Sequence, residues 1–368
     1  MSTNLPTAEP APTTSTRAPG RLHLSFNQRV SFDDGPDGAK RGLRDGIALI
    51  EAAERLGYQS SWAYQRHFDN YLSSPLPFFA AAGQRTGRIT LGSAVIPMRY
   101  QDPVLLAEAA GTTDLLVDGR LRLTLSSGRA GFEPVFGHAR TDARAEGQRR
   151  LLRFLAAVEG RTLHTVREDD DALLRVGSEL RVTPHSDGLR DRIAYGSGHV
   201  ASARDAAAQR LRLMTGTILH SADEGRTFPE YQAEVIAAYR AAWPGPDPAP
   251  PVTVAASILP ATTPELAAKY EAYDLQRRTE GPAASRPRGA LVHDLSKRPA
   301  DLGSLLVSPV FRGDPDAIVE ALLADPGIQA ADEIALFLPP AFGLDENVRV
   351  LRDMAAHVGP ALGWTPAT

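Results

Sequence analysis

The sequence predicts a closed (β/α)8 TIM barrel. Eight short strand-like segments are each followed by a helical segment, the alternation typical of an α/β fold with a parallel sheet. Eight such units form either a closed barrel or a large open doubly wound sheet, and the count favours the barrel. A minimal barrel takes about 250 residues, so the 368 residues leave a surplus. We expect that surplus in two excursions, residues 160–191 after strand four and residues 275–312 after strand seven.

The individual elements follow from apolar spacing and from start and stop signals. Leu22, Leu24 and Phe26 alternate with polar residues as in a strand, and Gly57 follows a run with helical spacing. Asp102 and Pro103 are typical of a helix start. The predicted strands and the helices after them are 22–26 and 38–56, 59–63 and 75–85, 89–96 and a helix from 103, 121–126 and 140–159, 192–195 and 201–212, 214–219 and 229–243, 252–258 and 264–273, and 333–338 and 346–362.

Composition narrows the class of protein. Forty basic against 44 acidic residues give a formal net charge of −4, which argues against a nucleic-acid partner. There are no cysteines, so disulfides and thiolate chemistry are excluded. The sequence contains neither a membrane-spanning apolar run nor a basic, apolar signal at its start, and we therefore expect a cytoplasmic protein. Residues 1–20 are rich in Pro, Thr, Ser and Ala and predict a disordered tail before one barrel domain over 21–368.

A glycine- and serine-rich turn is the best local signal for a ligand. Gly196, Ser197 and Gly198 follow a predicted strand, and Ser202 lies in the helix that opens behind them. Glycines allow close backbone approach, and the N–H groups of a helix start attract an anion. An ordinary strand-to-helix turn has the same composition. The turn also matches the dinucleotide motif Gly-x-Gly-x-x-Ala, but the acidic pair at 223–224 lies beyond the expected position of the ribose-binding acid.

Strong motifs for metal or nucleophile chemistry are absent from the sequence, and the nine histidines show no metal-ligand spacing within one helix, so we expect no metal. The acidic run 168–171 is interpreted as a solvated loop. Polar residues do follow several predicted strands, where a barrel keeps its chemistry. They are Asn27, Gln28, Arg66, His67, Ser126, Ser127, Arg129 and His220.

Several segments together resemble the bacterial luciferase-like flavin-dependent monooxygenases. They are EAAERLGYQSSW at 51–62, RITLGSAVIP at 88–97, DPVLLAE at 102–108, DLLVDGRLRL at 114–123 and ADEIALFLPPAFG at 331–343, with the turn at 196–198. The resemblance covers residues 21–365. It implies a TIM barrel, usually a homodimer, that binds reduced FMN or the deazaflavin F420 at the carboxyl-terminal rim of its strands.

The resemblance also implies roles for particular residues. The flavin phosphate is expected on Ser197, Gly198 and Ser202, with Gly196 beside them. The flavin ring is expected against strands one to four, over a cis peptide at Ala94–Val95 and near Ser126. Two departures stand out. The family's pair of histidines after strand two reads Arg66-His67, and Ser127 stands where luciferase has a phosphate-binding arginine, so that Arg129 is a possible substitute.

The function that the resemblance implies is oxygenation of a small organic substrate by reduced FMN and O2 through a flavin C4a-(hydro)peroxide, the FMN coming from a separate reductase. His67 is the leading acid–base candidate because its ordinary pKa lies near neutrality, and Arg66 is a candidate for binding an anion. His220 and His185 are weaker candidates. The excursion 275–312 is a candidate lid. Alternatives are an F420-dependent dehydrogenase or reductase on the same barrel, a non-catalytic flavin-binding barrel and, third, a dinucleotide-binding protein.

Overall fold

Eight parallel strands close into a barrel. The computed structural model describes residues 22–128, 131–138, 142–170, 173–221, 223, 225–280 and 304–368. Its strands are β1 (His23–Gln28), β2 (Ser60–Ala63), β3 (Thr90–Pro97), β4 (Leu121–Ser126), β5 (His164–Thr165), β6 (Glu179–Leu180), β7 (Ile193–Ser197), β8 (Arg212–Thr215), β9 (Ile218–Ser221), β10 (Thr253–Pro260), β11 (Ser304–Val307), β12 (Val310–Gly313) and β13 (Glu333–Phe337). The barrel runs β1-β2-β3-β4-β7-β8-β10-β13 and closes from β13 to β1, which confirms the predicted fold.

Helices cover the outside of the barrel. They are α1 (Gly38–Arg55), α2 (Pro75–Gly83), α3 (Pro103–Leu116), α4 (Ala143–Val158), α5 (Val200–Ala208), α6 (Phe228–Ala241), α7 (Pro264–Glu280), α8 (Pro315–Ala324), α9 (Pro326–Ala330) and α10 (Leu344–Asp353). The main apolar core lies between these helices and the strands and includes Phe26, Phe79 and Phe154. None of the described helices is long and apolar enough to cross a bilayer.

A buried polar network fills the amino-terminal end of the barrel. Trp62 Nε1 donates to Ser25 Oγ at 3.0 Å and to Glu333 Oε1 at 3.1 Å, and Arg122 donates to Glu333 Oε2 at 3.0 Å. Burial alone would raise the pKa of Glu333, but Arg122 and the neighbouring donors outweigh it and lower the pKa. Gly92 has no side chain because a Cβ there would lie 2.4 Å from Trp62 Cζ3. This end is therefore closed, and the opposite rim is left for ligands.

Both predicted excursions are present in part. The first contains a short antiparallel hairpin of β5 and β6, and its return segment docks on α3, where a Cβ on Gly111 would lie 2.5 Å from the Pro184 carbonyl oxygen. In the second, α7 packs on β12, which extends the end of β10, while β11 pairs antiparallel with β9. Residues 281–303 of the candidate lid, like the tail 1–20, lie outside the described residues.

Several element boundaries differ from the prediction. The single strand predicted at 214–219 is two strands, β8 and β9, because the chain turns at Gly216 and β9 finds its partner β11 more than 80 residues later. The helix predicted to end at 212 ends at Ala208, and Arg210 then adopts a left-handed φ of 54°. The helix predicted over 264–273 runs on to Glu280. The last helix gives way to a π-helical turn at Met354–Val358.

Candidate active site

The carboxyl ends of β3, β4 and β7 meet at one side of the rim. The Ala94–Val95 peptide bond is cis, as the resemblance implied. Gly196 faces it, since a Cβ on Gly196 would lie 2.7 Å from Val95 Cγ1. Ser126 ends β4 opposite Pro97 of β3. A glycine at 196 therefore keeps the backbone open beside the cis peptide.

Two serine hydroxyls form the predicted turn after β7. Ser197 Oγ and Ser202 Oγ lie 2.6 Å apart, and each donates to the His199 carbonyl oxygen, at 2.9 and 3.1 Å respectively. The His199 N–H donates back to Ser197 Oγ at 3.3 Å. Gly198 tolerates close packing, with its carbonyl accepting from the His220 N–H at 2.9 Å. The turn thus holds its hydroxyls in one small cluster at the amino end of α5.

A stacked pair of histidines lies behind this turn. The His199 and His220 rings have centroids 5.0 Å apart and an interplanar angle of 21°. Burial lowers the pKa of His199, a hydrogen bond that its ring donates to the His220 backbone opposes this, and the charge of Arg144 adds to the lowering. His199 is therefore held towards its neutral form.

A cavity of about 410 Å³ opens beside Ser202 between α4 and α5. Ser127 and Tyr195 line it, with Ser127 Oγ and the Tyr195 hydroxyl 2.8 Å apart. Arg144 also lines it and forms an ion pair of 3.2 Å with Asp205. Sequence reasoning did not select Arg144 or Tyr195. The available signal was the start of α4, which Asp142 Oδ1 caps by accepting from the backbone N–H of Arg144 at 2.9 Å.

His67 lies in an aromatic cluster formed by the loops after β2, β3 and β4. Its ring centroid is 5.0 Å from that of Phe136 and about 6 Å from those of Phe68 (6.0 Å) and Tyr100 (6.2 Å). Burial lowers the pKa of His67. Its buried Nε2 has no hydrogen-bond partner among the described residues. The imidazole is thus held towards the neutral form, with one ring nitrogen available.

Arg66, the neighbour of His67, already has a partner. Its Nε lies 2.8 Å from Asp69 Oδ2, and the Asp69 side chain is fully buried. The charge of Arg66 is therefore balanced before any ligand binds. A second buried ion pair, Arg99 Nε with Glu133 Oε1 at 2.6 Å, anchors the loop that carries Phe136.

The other sequence candidates lie elsewhere or cannot be located. His185 lies in the first excursion beside Gly160, which follows the end of α4, so it lies away from the rim. Arg129 lies outside the described residues. Among the residues that the structure describes, no three His, Asp or Glu side chains are grouped to hold a metal ion.

The side chains around the 410 Å³ cavity fit a phosphate group. Ser127, Tyr195 and Ser202 supply hydroxyl donors, and Arg144 supplies a guanidinium with 74% of its side chain exposed. The amino end of α5 adds a favourable dipole. A TIM barrel with a polar, aromatic rim at the carboxyl ends of its strands, beside a cavity lined by hydroxyl and guanidinium donors, has the arrangement of a barrel enzyme.

Comparison with known proteins identifies the family. The family model described as luciferase-like monooxygenase matches residues 24–335, and the chain belongs to this family. The chain is 31% identical over 115 residues to 4-hydroxyprotoasukamycin monooxygenase of Streptomyces nodosus subsp. asukaensis, covering 29% of this chain and 31% of the relative. It is 30% identical over 105 residues to the oxygenase component of flavin-dependent trigonelline monooxygenase of Acinetobacter baylyi, covering 28% and 29%.

F420-dependent relatives also occur. The chain is 34% identical over 104 residues to an F420-dependent glucose-6-phosphate dehydrogenase of Intrasporangium calvum, covering 27% of this chain and 31% of the relative. The matches to these curated relatives thus span only about a third of each relative's length. Among solved structures, the monooxygenase RslO1 from Streptomyces bottropensis has a TM-score of 0.67 at 19% identity, covering 92% of this chain and 99% of that one. That likeness supports the fold.

Proposed function

We propose that this protein is the oxygenase component of a two-component monooxygenase, which uses reduced FMN and O2 to oxygenate a small organic substrate. The observation that carries the proposal is the donor set around one cavity after β4 and β7, in which Ser127, Tyr195 and Ser202 supply hydroxyls and Arg144 supplies a guanidinium. When bound, reduced FMN supplies the electrons that activate O2. A separate flavin reductase delivers it, by analogy with the trigonelline enzyme, whose name describes an oxygenase component.

In this scheme, the residues of the chain bind the flavin phosphate and orient the flavin ring. Ser197, Ser202 and Gly198 with the start of α5 hold the phosphate, and Arg144 and Ser127 approach it from α4 and β4. The ring side of the site is bounded by the cis peptide Ala94–Val95, by Gly196 and by Ser126. Preorganised hydroxyl and N–H donors need little rearrangement when an anion binds.

His67 is proposed as the acid–base residue. Its lowered pKa keeps the imidazole neutral near pH 7, so its free Nε2 can accept a proton from the substrate. The aromatic rings around it exclude water from that nitrogen. Arg66 has no such freedom because Asp69 neutralises it, and we propose that Arg66 positions the loop that carries His67.

The charges around the cavity favour FMN over F420. F420 carries glutamate carboxylates beyond its phosphate, whereas FMN ends at the phosphate. Among the described residues that line the cavity, Arg144 is the one cation, so the cavity offers a charge partner for one phosphate and none for an added acidic tail. The similarity to an F420-dependent dehydrogenase is the observation that favours the second candidate, a hydride transfer that needs no oxygen.

Anaerobic titration separates the two candidates. The chain is titrated with reduced FMN and with reduced F420, and oxygen uptake is then recorded on mixing with air. Binding of reduced FMN with substrate-dependent oxygen uptake supports the monooxygenase. Binding of F420 alone, with no oxygen uptake, would replace it with the dehydrogenase, and FMN binding without turnover of any substrate would indicate a non-catalytic barrel.

We also propose that the protein is a homodimer that buries the outer face of α3. Leu105, Leu115 and Leu116 lie on that helix with at least half of each side chain exposed, and a cluster of exposed leucines is unfavourable in a monomer. Sedimentation velocity gives the mass directly. A monomer at micromolar concentration would exclude this interface.

A further inference from the structure

A second group of cationic and phenolic side chains lies on the far side of the barrel mouth. Arg29 directly follows β1, and β1 is four strands away from β7 in the ring of eight. The two strands are therefore opposite each other. Arg29 takes no part in the proposed phosphate cradle, which is formed by residues after β4 and β7.

Arg29 is surrounded by aromatic rings. Its guanidinium carbon lies 5.4 Å from the ring centroids of Tyr64 and Tyr71 and 5.0 Å from that of Phe337. Nη1 donates to the Tyr71 hydroxyl at 3.3 Å. Within the described residues Nε is buried without a hydrogen-bond partner, and no carboxylate forms an ion pair with this arginine. The rings cover the faces of the guanidinium, so its Nε edge is left for a planar acceptor.

Helix α7 brings two more groups to this side. Tyr273 is only 8% exposed, and in the part of the chain that the structure describes its hydroxyl has no hydrogen-bond partner. Arg277 lies one helical turn further along. The acidic neighbour Asp274 is held by Arg312 Nε at 2.8 Å, and Arg277 forms no ion pair with any described carboxylate.

One cavity borders part of this group. Arg29 and Phe342 line a cavity of about 340 Å³ between the loops after β1 and β13. Phe342 also contacts Tyr273, with ring centroids 5.8 Å apart. Burial lowers the pKa of Arg277, and repulsion from the like charge of Arg29 adds to the lowering, whereas Tyr273 and Asp274 oppose it. A bound anion would remove that repulsion.

We infer that Arg29, Tyr273 and Arg277 form a carboxylate-binding subsite and that the substrate of this enzyme carries a carboxylate group. That the carboxylate belongs to a substrate rests on the proposed function, whereas the carboxylate-binding subsite itself does not depend on it. A planar carboxylate matches the edge of a guanidinium and can also accept from a phenol. Phe337 and Tyr64 offer an apolar wall to the organic body of the same molecule, which would then point towards the centre of the mouth and His67.

Binding of sodium benzoate to the full chain tests the subsite without any turnover. Affinities are measured by isothermal titration calorimetry, with benzamide as the neutral isostere and with benzenesulfonate and phenyl phosphate as the other anions. We expect benzoate to bind at least tenfold more tightly than each of the three. Arg277→Gln and Arg29→Gln should each weaken benzoate binding at least tenfold, and Tyr273→Phe should weaken it about three- to tenfold, as expected for one lost hydrogen bond.

The controls separate this inference from the proposed function. Arg181→Gln changes an exposed arginine of the first excursion, whose partners among the described residues are Glu179 at 2.6 Å and Thr162, and should leave benzoate affinity unchanged. Circular dichroism verifies that each variant folds. Because Arg29 packs against three rings, the Arg277 and Tyr273 variants decide the result if the Arg29 variant does not fold.

Equal affinity for benzoate and benzamide, or tighter binding of the sulfonate or phosphate, would overturn the carboxylate assignment, as would unchanged benzoate binding in both α7 variants. A chain that binds benzoate in this way but binds no FMN would refute the proposed function and leave the subsite intact. A chain that binds FMN and takes up oxygen but binds benzoate no better than benzamide would refute the subsite and leave the proposed function intact.

Discussion

Removing the hydroxyls of Ser197 and Ser202 tests where the flavin phosphate binds. Hydrogen bonds to a charged group contribute about 1.5–3 kcal/mol each. In this structure, however, both hydroxyls already donate to the His199 carbonyl oxygen, at 2.9 and 3.1 Å. Turning them to a phosphate loses those neutral bonds, worth about 0.5–1.5 kcal/mol each. The net loss for Ser197→Ala with Ser202→Ala is therefore about 1–3 kcal/mol, or about 5- to 150-fold in Kd.

Riboflavin provides the matched ligand for this measurement because it lacks only the phosphate. Anaerobic fluorescence titration with reduced FMN and reduced riboflavin gives both dissociation constants for the wild type, the double variant and Ser178→Ala, a control in the distant hairpin. We expect FMN affinity to fall in the double variant alone and riboflavin affinity to stay constant in all three. An unchanged FMN affinity, or an equal loss for riboflavin, would show that the phosphate binds elsewhere.

Three further predictions concern catalysis and stability. His67→Ala should slow turnover at least tenfold while FMN affinity changes less than twofold, and a rapid-mixing assay with unchanged turnover would exclude His67 from proton transfer. Glu333→Ala leaves Arg122 buried without its partner at 3.0 Å. The free energy of unfolding, measured by urea titration, should therefore fall by about 3–5 kcal/mol. A loss below about 1 kcal/mol, which is the usual range for an exposed ion pair, would contradict the buried pair. Burial lowers the folded-state pKa of His67 and of His199, so the unfolded chain binds protons first. Stability should therefore fall as the pH drops below about 6.5. Urea titrations from about pH 7.5 to 5 measure this. Two results would refute the assignment to these histidines: no fall in the wild type, or the same fall in the double variant His67→Asn with His199→Asn.

Much of the barrel could be predicted from local pattern. Strand β4 was predicted over the residues where it is found, because its leucines alternate with polar residues, and β13 to within one residue, because a short apolar run follows Glu333. The start of α3 followed from its proline and the Asp102 cap, which accepts from two backbone N–H groups. The predicted boundaries are wrong where pairing with a segment distant in the sequence determines the structure. Strand β9 exists as a separate strand because it pairs with β11, and no local spacing signals that contact.

The candidate site likewise has a part that the local sequence predicts and a part that only the folded chain shows. The turn at 196–198 was visible because its glycines and serines are adjacent in the sequence, although an ordinary strand-to-helix turn has the same composition. Arg144 was not, since it is an ordinary helix residue until folding brings α4 beside α5. The pairing of Arg66 with Asp69 likewise shows only in three dimensions that this charge is already balanced.

By itself, the sequence determined the alternation of strands and helices, the family and the position of the glycine- and serine-rich turn, because each depends on residues close together in the chain. Only the tertiary structure decided which charges remain without a partner. Arg29 and Arg277 are nearly 250 residues apart and belong to unrelated elements, and barrel closure from β13 to β1 is what brings them to one side of the mouth. Pairing, burial and repulsion depend on distance in space, which local composition does not encode.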